Sequence, residues 1–275
     1  MRSLFAVAAL SLLAAAPLSA QDYDDDWLSE CRRDRGWSRR DQRIRHCEIR
    51  EDSLRAPGGT ITIDPGQNGG VAVRAWDKDS IFIRAKIQTH GRSADAAAAI
   101  ARQVRIVTSG GTVRAEGPDD GDWEGSSTWS VSFEVFVPRR SDLDLETENG
   151  PLSVREVVGT MDLDARNGPI ALRGVGGAVR ARAQNGPLTV TLTGTRWEGE
   201  GLDAETVNGP VDLSVPEGYS AQLETGTRNG PMSVDFPITV TIQGRISHRI
   251  NTTLGSGGPR VRVVTTNGPL SIRRR

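Results

Sequence analysis

The triplet Asn-Gly-Pro occurs six times in the C-terminal half of the chain, with steps of 18, 18, 23, 21 and 38 residues between successive asparagines. Self-similarity at a short, nearly constant period indicates one structural unit stacked on copies of itself, because a single unit buries too little apolar surface. We therefore predict a repeat domain over residues 138–275. Its candidate structural residues are Asn149, Gly150, Pro151, Asn167, Gly168, Pro169, Asn185, Gly186, Pro187, Asn208, Gly209, Pro210, Asn229, Gly230, Pro231, Asn267, Gly268 and Pro269.

Side-chain periodicity places these triplets at corners between strands. A two-residue hairpin is disfavoured, because proline has no N–H to close the turn. Apolar or small residues lie an even number of positions before each asparagine, and three and five positions after it, as Leu152 and Val154 follow Asn149. This one-residue shift lets both flanking strands face one core. The pattern predicts an all-β fold, a parallel β-helix (β-solenoid) in which each coil is strand, corner, strand and turn.

The triplets have an architectural interpretation. On this alternation the asparagines point inward, and stacking at about 4.8 Å would align their amides into a hydrogen-bonded ladder. The glycines would supply a backbone dihedral that a Cβ forbids. The 38-residue step predicts two coils with one triplet lost, the missing place being taken by residues from Gln243 to Arg260.

The N-terminal residues predict export. Arg2, an apolar run from Leu4 to Ala16 and a small-residue cleavage signal ending at Ala20 are typical of a secretory signal peptide over residues 1–20. No later stretch is long and apolar enough for a transmembrane segment after signal cleavage. Cys31 and Cys47 are the two cysteines of the chain, and in an exported protein they are expected to form a disulfide.

Two further segments precede the repeat. Residues 21–56 are dense in charges of both signs, and we predict a short helical hairpin there, with Ser38 and Asp41 as a capping box, stapled by the disulfide. Residues 57–137 show apolar alternation at period two and predict an N-terminal β region. One alanine-rich interruption from Ser93 to Arg102 predicts a short helix, and Asp119 to Thr128 predicts a polar surface loop.

The repeat resembles a known family. Val137-Pro138, followed by T-x-N-G-P-L from Thr147 to Leu152 and its later copies, is similar to a family of exported bacterial adhesin-like proteins with a domain of unknown function. The resemblance covers about residues 58–275. It implies a right-handed β-helix and transfers no active-site residues.

Residue chemistry gives few catalytic candidates. His46, His90 and His248 lie in unrelated segments, and no cofactor is indicated. On the outward face of the stack we expect, in successive coils, Asp144 and Glu146 beside Asp162 and Asp164, then Arg180 and Arg182, then Asp203 and Glu205. The carboxylates of Asp144, Glu146, Asp162 and Asp164 are a candidate calcium site, although the arginines can neutralise them without metal.

These observations favour a non-enzymatic module that binds, adheres or acts as a scaffold in the bacterial cell envelope, located in the periplasm or outside the cell. The expected partner is an envelope protein or a polysaccharide. The alternative is a polysaccharide lyase or hydrolase that uses the four outer-face carboxylates. Lys and Arg number 34 against 35 Asp and Glu, so the charge balance gives no reason to expect nucleic acid as a partner.

Overall fold

The structure, a computed structural model, describes residues 27–31, 43–118, 129–235 and 248–275. These residues form an all-β protein with one helix of ten residues, α1 (Ala94–Gln103). The strands are β1 (Ile44–Arg55), β2 (Ile61–Asp64), β3 (Val71–Trp76), β4 (Ser80–Gly91), β5 (Arg105–Ser109), β6 (Thr112–Glu116), β7 (Trp129–Pro138), β8 (Leu143–Asn149), β9 (Leu152–Arg155), β10 (Val158–Asn167), β11 (Ile170–Arg173), β12 (Gly176–Asn185), β13 (Leu188–Thr191), β14 (Gly201–Asn208), β15 (Val211–Val215), β16 (Ala221–Asn229), β17 (Met232–Asp235), β18 (Arg249–Leu254), β19 (Arg260–Asn267) and β20 (Leu270–Arg274).

The strands build two mixed sheets of ten strands each. The first sheet has the order β1-β4-β7-β3-β9-β11-β13-β15-β20-β17, and the second has the order β18-β16-β19-β14-β12-β10-β8-β2-β6-β5. Each Asn-Gly-Pro corner joins a strand of the second sheet to a strand of the first. Equivalent strands pair in parallel and in register, so Leu163 lies between Leu145 and Ala181. The predicted all-β class is confirmed, and the core lies between the two sheets.

The stack of units does not follow the order of the sequence. Strand β19 pairs in parallel with β14 on one side and with β16 on the other, so the unit of Asn267 lies between those of Asn208 and Asn229. The chain reverses direction at β18, which pairs antiparallel with β16. The sequence predicts an extra coil between Asn229 and Asn267. Of this connection the structure describes residues 248–260, and for these residues the prediction is wrong.

The asparagine side chains form a ladder in this spatial order. Five of the six amide Nδ2 groups donate to the Oδ1 of the preceding asparagine, at 3.0 Å from Asn167 to Asn149 and at 2.8 Å from Asn229 to Asn267. The Asn149 Nδ2 donates instead to the Gln67 carbonyl at 2.9 Å. All six side chains are exposed, so the expectation that they point inward is wrong. The reason is that alternation stops one residue early: Arg166 and Asn167 both face solvent after the buried Ala165.

The corner glycines are needed for close backbone approach. A Cβ on Gly168 would lie 2.0 Å from the carbonyl oxygen of Gly150, and one on Gly186 would lie 2.1 Å from that of Gly168. Of the six, Gly268 is the one with a positive φ, so the expected requirement for an unusual dihedral does not explain the others. At several units a buried threonine two residues before the asparagine adds a hydrogen bond to the neighbouring corner. For example, the Thr206 hydroxyl donates to the Gly186 carbonyl at 2.8 Å.

A seventh corner precedes the six triplets. Asn68, Gly69 and Gly70 join β2 to β3, and the Gly69 N–H donates to the Asn149 carbonyl at 3.1 Å. A Cβ on Gly150 would lie 2.1 Å from the Gly69 carbonyl oxygen, so Gly69 continues the stack of closely packed corner glycines. The signal was present in the sequence, because apolar Val71 and Val73 lie three and five positions after Asn68, as after every triplet.

The N-terminal segment differs from the predicted helical hairpin. Residues 27–31 are helical, but Ile44–Arg55 is strand β1, paired along its full length with β4. The long edge of β4 offers a backbone ladder, and an edge strand tolerates the charges from which we predict a helix. The predicted Cys31–Cys47 disulfide is present. The predicted signal peptide, the capping box and the loop at 119–128 lie outside the described residues.

The short helix predicted near residue 93 is α1, which begins after its N-cap, Ser93. It packs on β4 and β1, where the Thr89 hydroxyl donates to the Ala97 carbonyl at 2.7 Å. At its C-terminus the Arg50 guanidinium donates to the Ala101 carbonyl at 2.8 Å. Within the described ranges, no helix has both the length and the hydropathy needed to cross a bilayer.

Tyr219 gives a test of the core at high pH. Its side chain is 2% exposed, and burial raises its pKa to about 12. Because the unfolded chain releases the phenol proton near pH 10, the free energy of unfolding should fall between about pH 10 and 12. Ultraviolet titration of a Tyr23→Phe variant, which leaves Tyr219 as the single tyrosine, should show ionisation near pH 12. Ionisation of the folded protein near pH 10 would contradict this burial.

Candidate functional site

The outward face of the second sheet carries the charged rows expected from the sequence. Asp144 lies beside Asp162, and Glu146 lies beside Asp164. The next strand places Arg180 beside Asp162 and Arg182 beside Asp164, and β14 follows with Asp203 and Glu205. Strand β19 then adds Arg262, opposite Asp203. The face is therefore a flat series of acidic and basic bands, one band for each strand.

Contacts between neighbouring bands largely neutralise them. The Arg262 guanidinium contacts Asp203 at 2.5 Å and Glu205 at 3.0 Å. Burial disfavours its charged form, but hydrogen bonds to these two carboxylates raise the pKa of Arg262 overall. Burial also raises the pKa of Asp164, with Arg182 opposing the shift and Asp162 adding to it. The acidic excess is thus confined to β8 and β10.

The structure gives no support to the candidate calcium site at the four carboxylates. Among the residues that the structure describes, no group of three or more His, Cys, Asp or Glu is arranged to hold a metal ion. Asp144, Glu146, Asp162 and Asp164 are all exposed on the outward face of the sheet, where their oxygens do not converge. Calcium requires six to eight oxygens around one point, so the proposed ligand set is not supported.

A groove lies at the turns opposite the Asn-Gly-Pro corners, where the chain enters the second sheet and strands β8, β10, β12 and β14 begin. Its volume is about 570 Å³, and one wall is the linker from Ala56 to Gly59. At the groove the backbones of neighbouring corners pack closely, because a Cβ on Gly159 would lie 2.1 Å from the Ser141 carbonyl oxygen and one on Gly177 would lie 2.0 Å from that of Gly159. We call this the corner groove. Its volume lies in the range of ligand sites in proteins.

Polar groups line the rim of the corner groove. Glu198 contacts Arg139 and Arg140, each at 3.4 Å. Asp142 accepts a hydrogen bond from the Thr160 backbone N–H at 2.6 Å. Charged pairs such as Arg139-Arg140 can be recognised in the sequence, but the groups at the rim come from turns up to about 60 residues apart. The repeat pattern gave no reason to expect that they meet.

An aromatic cluster on the outer face of the first sheet was also missed. The rings of Trp76, Phe82 and Phe136 lie 5.7–6.1 Å apart, and the Lys78 ammonium lies 4.6 Å from the centre of the Trp76 ring. The Trp76 indole donates to the Ser80 carbonyl at 2.7 Å. This internal bond and the mutual packing favour a structural role for the cluster. Trp197, the aromatic residue nearest the acidic bands in sequence, is buried with 3% exposure.

The structure does not bring the three histidines together. His46 contacts Glu48 at 3.2 Å, and His90 accepts from Arg45 at 3.3 Å. His248 is exposed before β18 at the other end of the stack. Their placement gives no shared proton-transfer site.

The sequence profile of the Toastrack DUF4097 family matches residues 101–273, which is more than half of the chain. The chain belongs to the Toastrack DUF4097 family. The matched region contains all six Asn-Gly-Pro corners, so the family resemblance predicted from those corners is confirmed. Residues 43–100, with β1 to β4, precede the matched region.

Solved structures similar to this Toastrack chain share little sequence with it. A "putative cell adhesion protein" from Clostridium sporogenes has 9% identity and a TM-score of 0.47, with 84% of this chain and all of that chain covered. A "putative adhesin" from Bacteroides fragilis has 10% identity, a TM-score of 0.37 and coverage of 83% and 97%. A "putative lipid binding protein" from Parabacteroides distasonis has 9% identity, a TM-score of 0.32 and coverage of 82% and 96%. No curated protein matches the chain in sequence.

Proposed function

We propose that this Toastrack chain is a non-enzymatic binding module of the bacterial cell envelope, exported to the periplasm or the cell surface. In this proposal the stacked units form a right-handed parallel β-solenoid, and the rigid stack presents one face to its partner. The partner is a polysaccharide or an extended segment of an envelope protein. The balanced charge of the chain, 34 basic against 35 acidic residues, supports an uncharged or mixed partner over nucleic acid.

The corner groove is the single observation that carries this function. Equivalent corners repeat at about 4.8 Å along the groove, so an extended polymer lying across them meets the same backbone groups at each step. Gly159, Gly177 and Gly199 line the groove without side chains, so such a chain can approach the backbone at these positions. The Glu198 carboxylate and the guanidinium groups of Arg139 and Arg140 place charges of both signs at the rim. These features fit retention of a polymer better than turnover of one bond.

A variant that fills the groove tests this proposal. Ala178 lines the corner groove, and Ala178→Trp should weaken binding of envelope polysaccharides or solubilised envelope proteins to the immobilised chain by at least about tenfold. Ala171→Trp is the matched control, because Ala171 is an exposed outward residue of β11 outside the groove. Retention of either pool by the parent and the control, but not by Ala178→Trp, supports the groove. Equal retention by all three proteins would contradict it.

One observation favours the enzymatic alternative. Asp162 and Asp164 lie on one strand, and burial with the neighbouring charge raises the pKa of Asp164, a pattern used by acid–base pairs. Both side chains stand on an open face, beside Arg180 and Arg182 of the next strand. We therefore expect no released product from the same polysaccharides. Release that disappears in Asp162→Ala would overturn the non-enzymatic proposal.

A further inference from the structure

Every unit of the stack contains a bond with its own chemical reactivity. The backbone nitrogen that follows an asparagine can attack the side-chain amide carbon, and glycine offers least hindrance to this attack because it has no side chain. The Cγ–Nδ2 bond breaks, a bond from Cγ to the glycine nitrogen forms, and Nδ2 leaves as ammonia with the amide proton. Water then opens the cyclic imide at either carbonyl, which gives aspartate or isoaspartate.

The stack occupies both reacting groups in its interior units. The glycine N–H donates to the asparagine carbonyl of the next unit, at 3.1 Å from Gly150 to Asn167 and at 3.0 Å from Gly186 to Asn208. The side-chain Oδ1 of each interior asparagine accepts from the next asparagine, as Asn185 accepts from Asn208 at 2.9 Å. An attack within these units must first break hydrogen bonds that neighbouring strands hold in place.

The outermost unit lacks this protection. Asn229 donates from Nδ2 to Asn267 at 2.8 Å, but within the described residues its Oδ1 accepts no hydrogen bond. The Gly230 N–H likewise has no backbone partner in that part of the chain, whereas the corresponding Gly268 N–H donates to Asn229 at 3.2 Å. The Asn229 side chain is exposed to water.

We propose that Asn229-Gly230 is a self-modifying site, at which the folded protein converts Asn229 to aspartate or isoaspartate while the equivalent interior sites stay intact. The inversion in stacking order creates this selectivity. If the units were stacked in sequence order, Asn267 would end the ladder and Asn229 would be an interior site.

The modification would act on the open end of the stack. A carboxylate at position 229 removes the Nδ2 donor and faces the Oδ1 of Asn267 with a like partial charge. Isoaspartate also lengthens the backbone by one methylene at the start of the corner, which shifts the register of β17 against β20. Ageing therefore loosens the unit of β16 and β17 and makes β19 and β20 available as new edges.

Peptide mapping of the intact protein by mass spectrometry tests the site. Native protein is incubated in mildly alkaline buffer, and conversion is followed at all seven Asn-Gly sites. Asn229 should convert at least about tenfold faster than Asn149, Asn167, Asn185 or Asn208, since attack at those sites requires the loss of further hydrogen bonds. Asn68 should also stay slow, because its Gly69 N–H is engaged.

The same protein incubated in denaturant is the matched control, and there the seven rates should converge. Asn229→Gln should abolish the fast conversion in native protein while the other six sites keep their slow rates. Equal native rates at Asn229 and the interior sites would overturn the proposal, as would faster conversion at Asn267 than at Asn229.

Discussion

Replacing Gly168 with alanine should destabilise the protein by about 3 kcal/mol or more, one of the two largest effects expected of a single substitution here. The new Cβ would lie 2.0 Å from the Gly150 carbonyl oxygen, and that oxygen belongs to the backbone of the neighbouring corner, between β8 and β9. Neither side can yield without breaking the register of two neighbouring units. Chemical denaturation, with the midpoint converted to a free energy, measures the loss.

Gly58→Ala is the control for Gly168→Ala. Gly58 lies in the linker before β2, and a Cβ there would meet nothing within 4 Å. The free energy of unfolding of Gly58→Ala should differ from that of the parent protein by less than about 0.5 kcal/mol. A similar, small effect of both substitutions would show that neighbouring corners do not approach each other closely.

Replacing Arg84 with methionine should cost about 3–5 kcal/mol. Arg84 is 2% exposed, and its guanidinium lies 3.0 Å from Glu51 and 3.3 Å from Glu134, with the Phe82 ring beside it. Methionine keeps much of the volume but leaves Glu134, which is 19% exposed, with one cation among the described residues, Lys86 at 3.5 Å. Removing one partner of a buried ion pair costs more than the pair contributes, because the other charge stays desolvated.

The control for Arg84→Met is Arg166→Met. Arg166 also contacts a glutamate, Glu148 at 3.2 Å, but its side chain is 63% exposed. An exposed pair contributes at most about 1 kcal/mol, and the control should lie within that limit. If the two variants lose equal stability, Arg84 is not a buried ion-pair centre.

The sequence determined the repeat, its corners and the charged rows because all three depend on spacing alone. An 18-residue step brings Asp162 beside Asp144 and Asn167 beside Asn149 without further information. The spacing of apolar residues three and five positions after an asparagine also identifies the corner at Asn68-Gly69. Alternation failed at the end of each strand, where Arg166 and Asn167 both face out, since a corner breaks the period of two that the prediction assumed.

Other features depend on contacts that spacing does not encode. The triplet at Asn229 is identical to that at Asn267, so nothing local tells which unit ends the stack. The charged composition of residues 44–55 predicts a helix, because composition does not show that the edge of β4 can pair with them over twelve residues. The corner groove combines turns from separate units with the linker from Ala56 to Gly59, and only the folded stack brings them together.

Both the asparagine ladder and the proposed modification site depend on the order in which the units are stacked. Ser271 of β20 lies opposite Asp212 of β15 on one side and opposite Ser233 of β17 on the other. Adjacent strands lie within the Cα separation that a disulfide requires, whereas Asp212 and Ser233 are two strand spacings apart, about 9.6 Å. Pairwise cysteine substitution at these three outward positions therefore reads the order directly.

Under mild oxidation, Asp212→Cys with Ser271→Cys and Ser233→Cys with Ser271→Cys should each form an intramolecular disulfide in folded monomer, detected by peptide mapping. Asp212→Cys with Ser233→Cys should remain reduced. A stack in sequence order would place β15 beside β17, so ready formation of the Asp212–Ser233 crosslink together with failure of both Ser271 pairs would contradict the inserted unit.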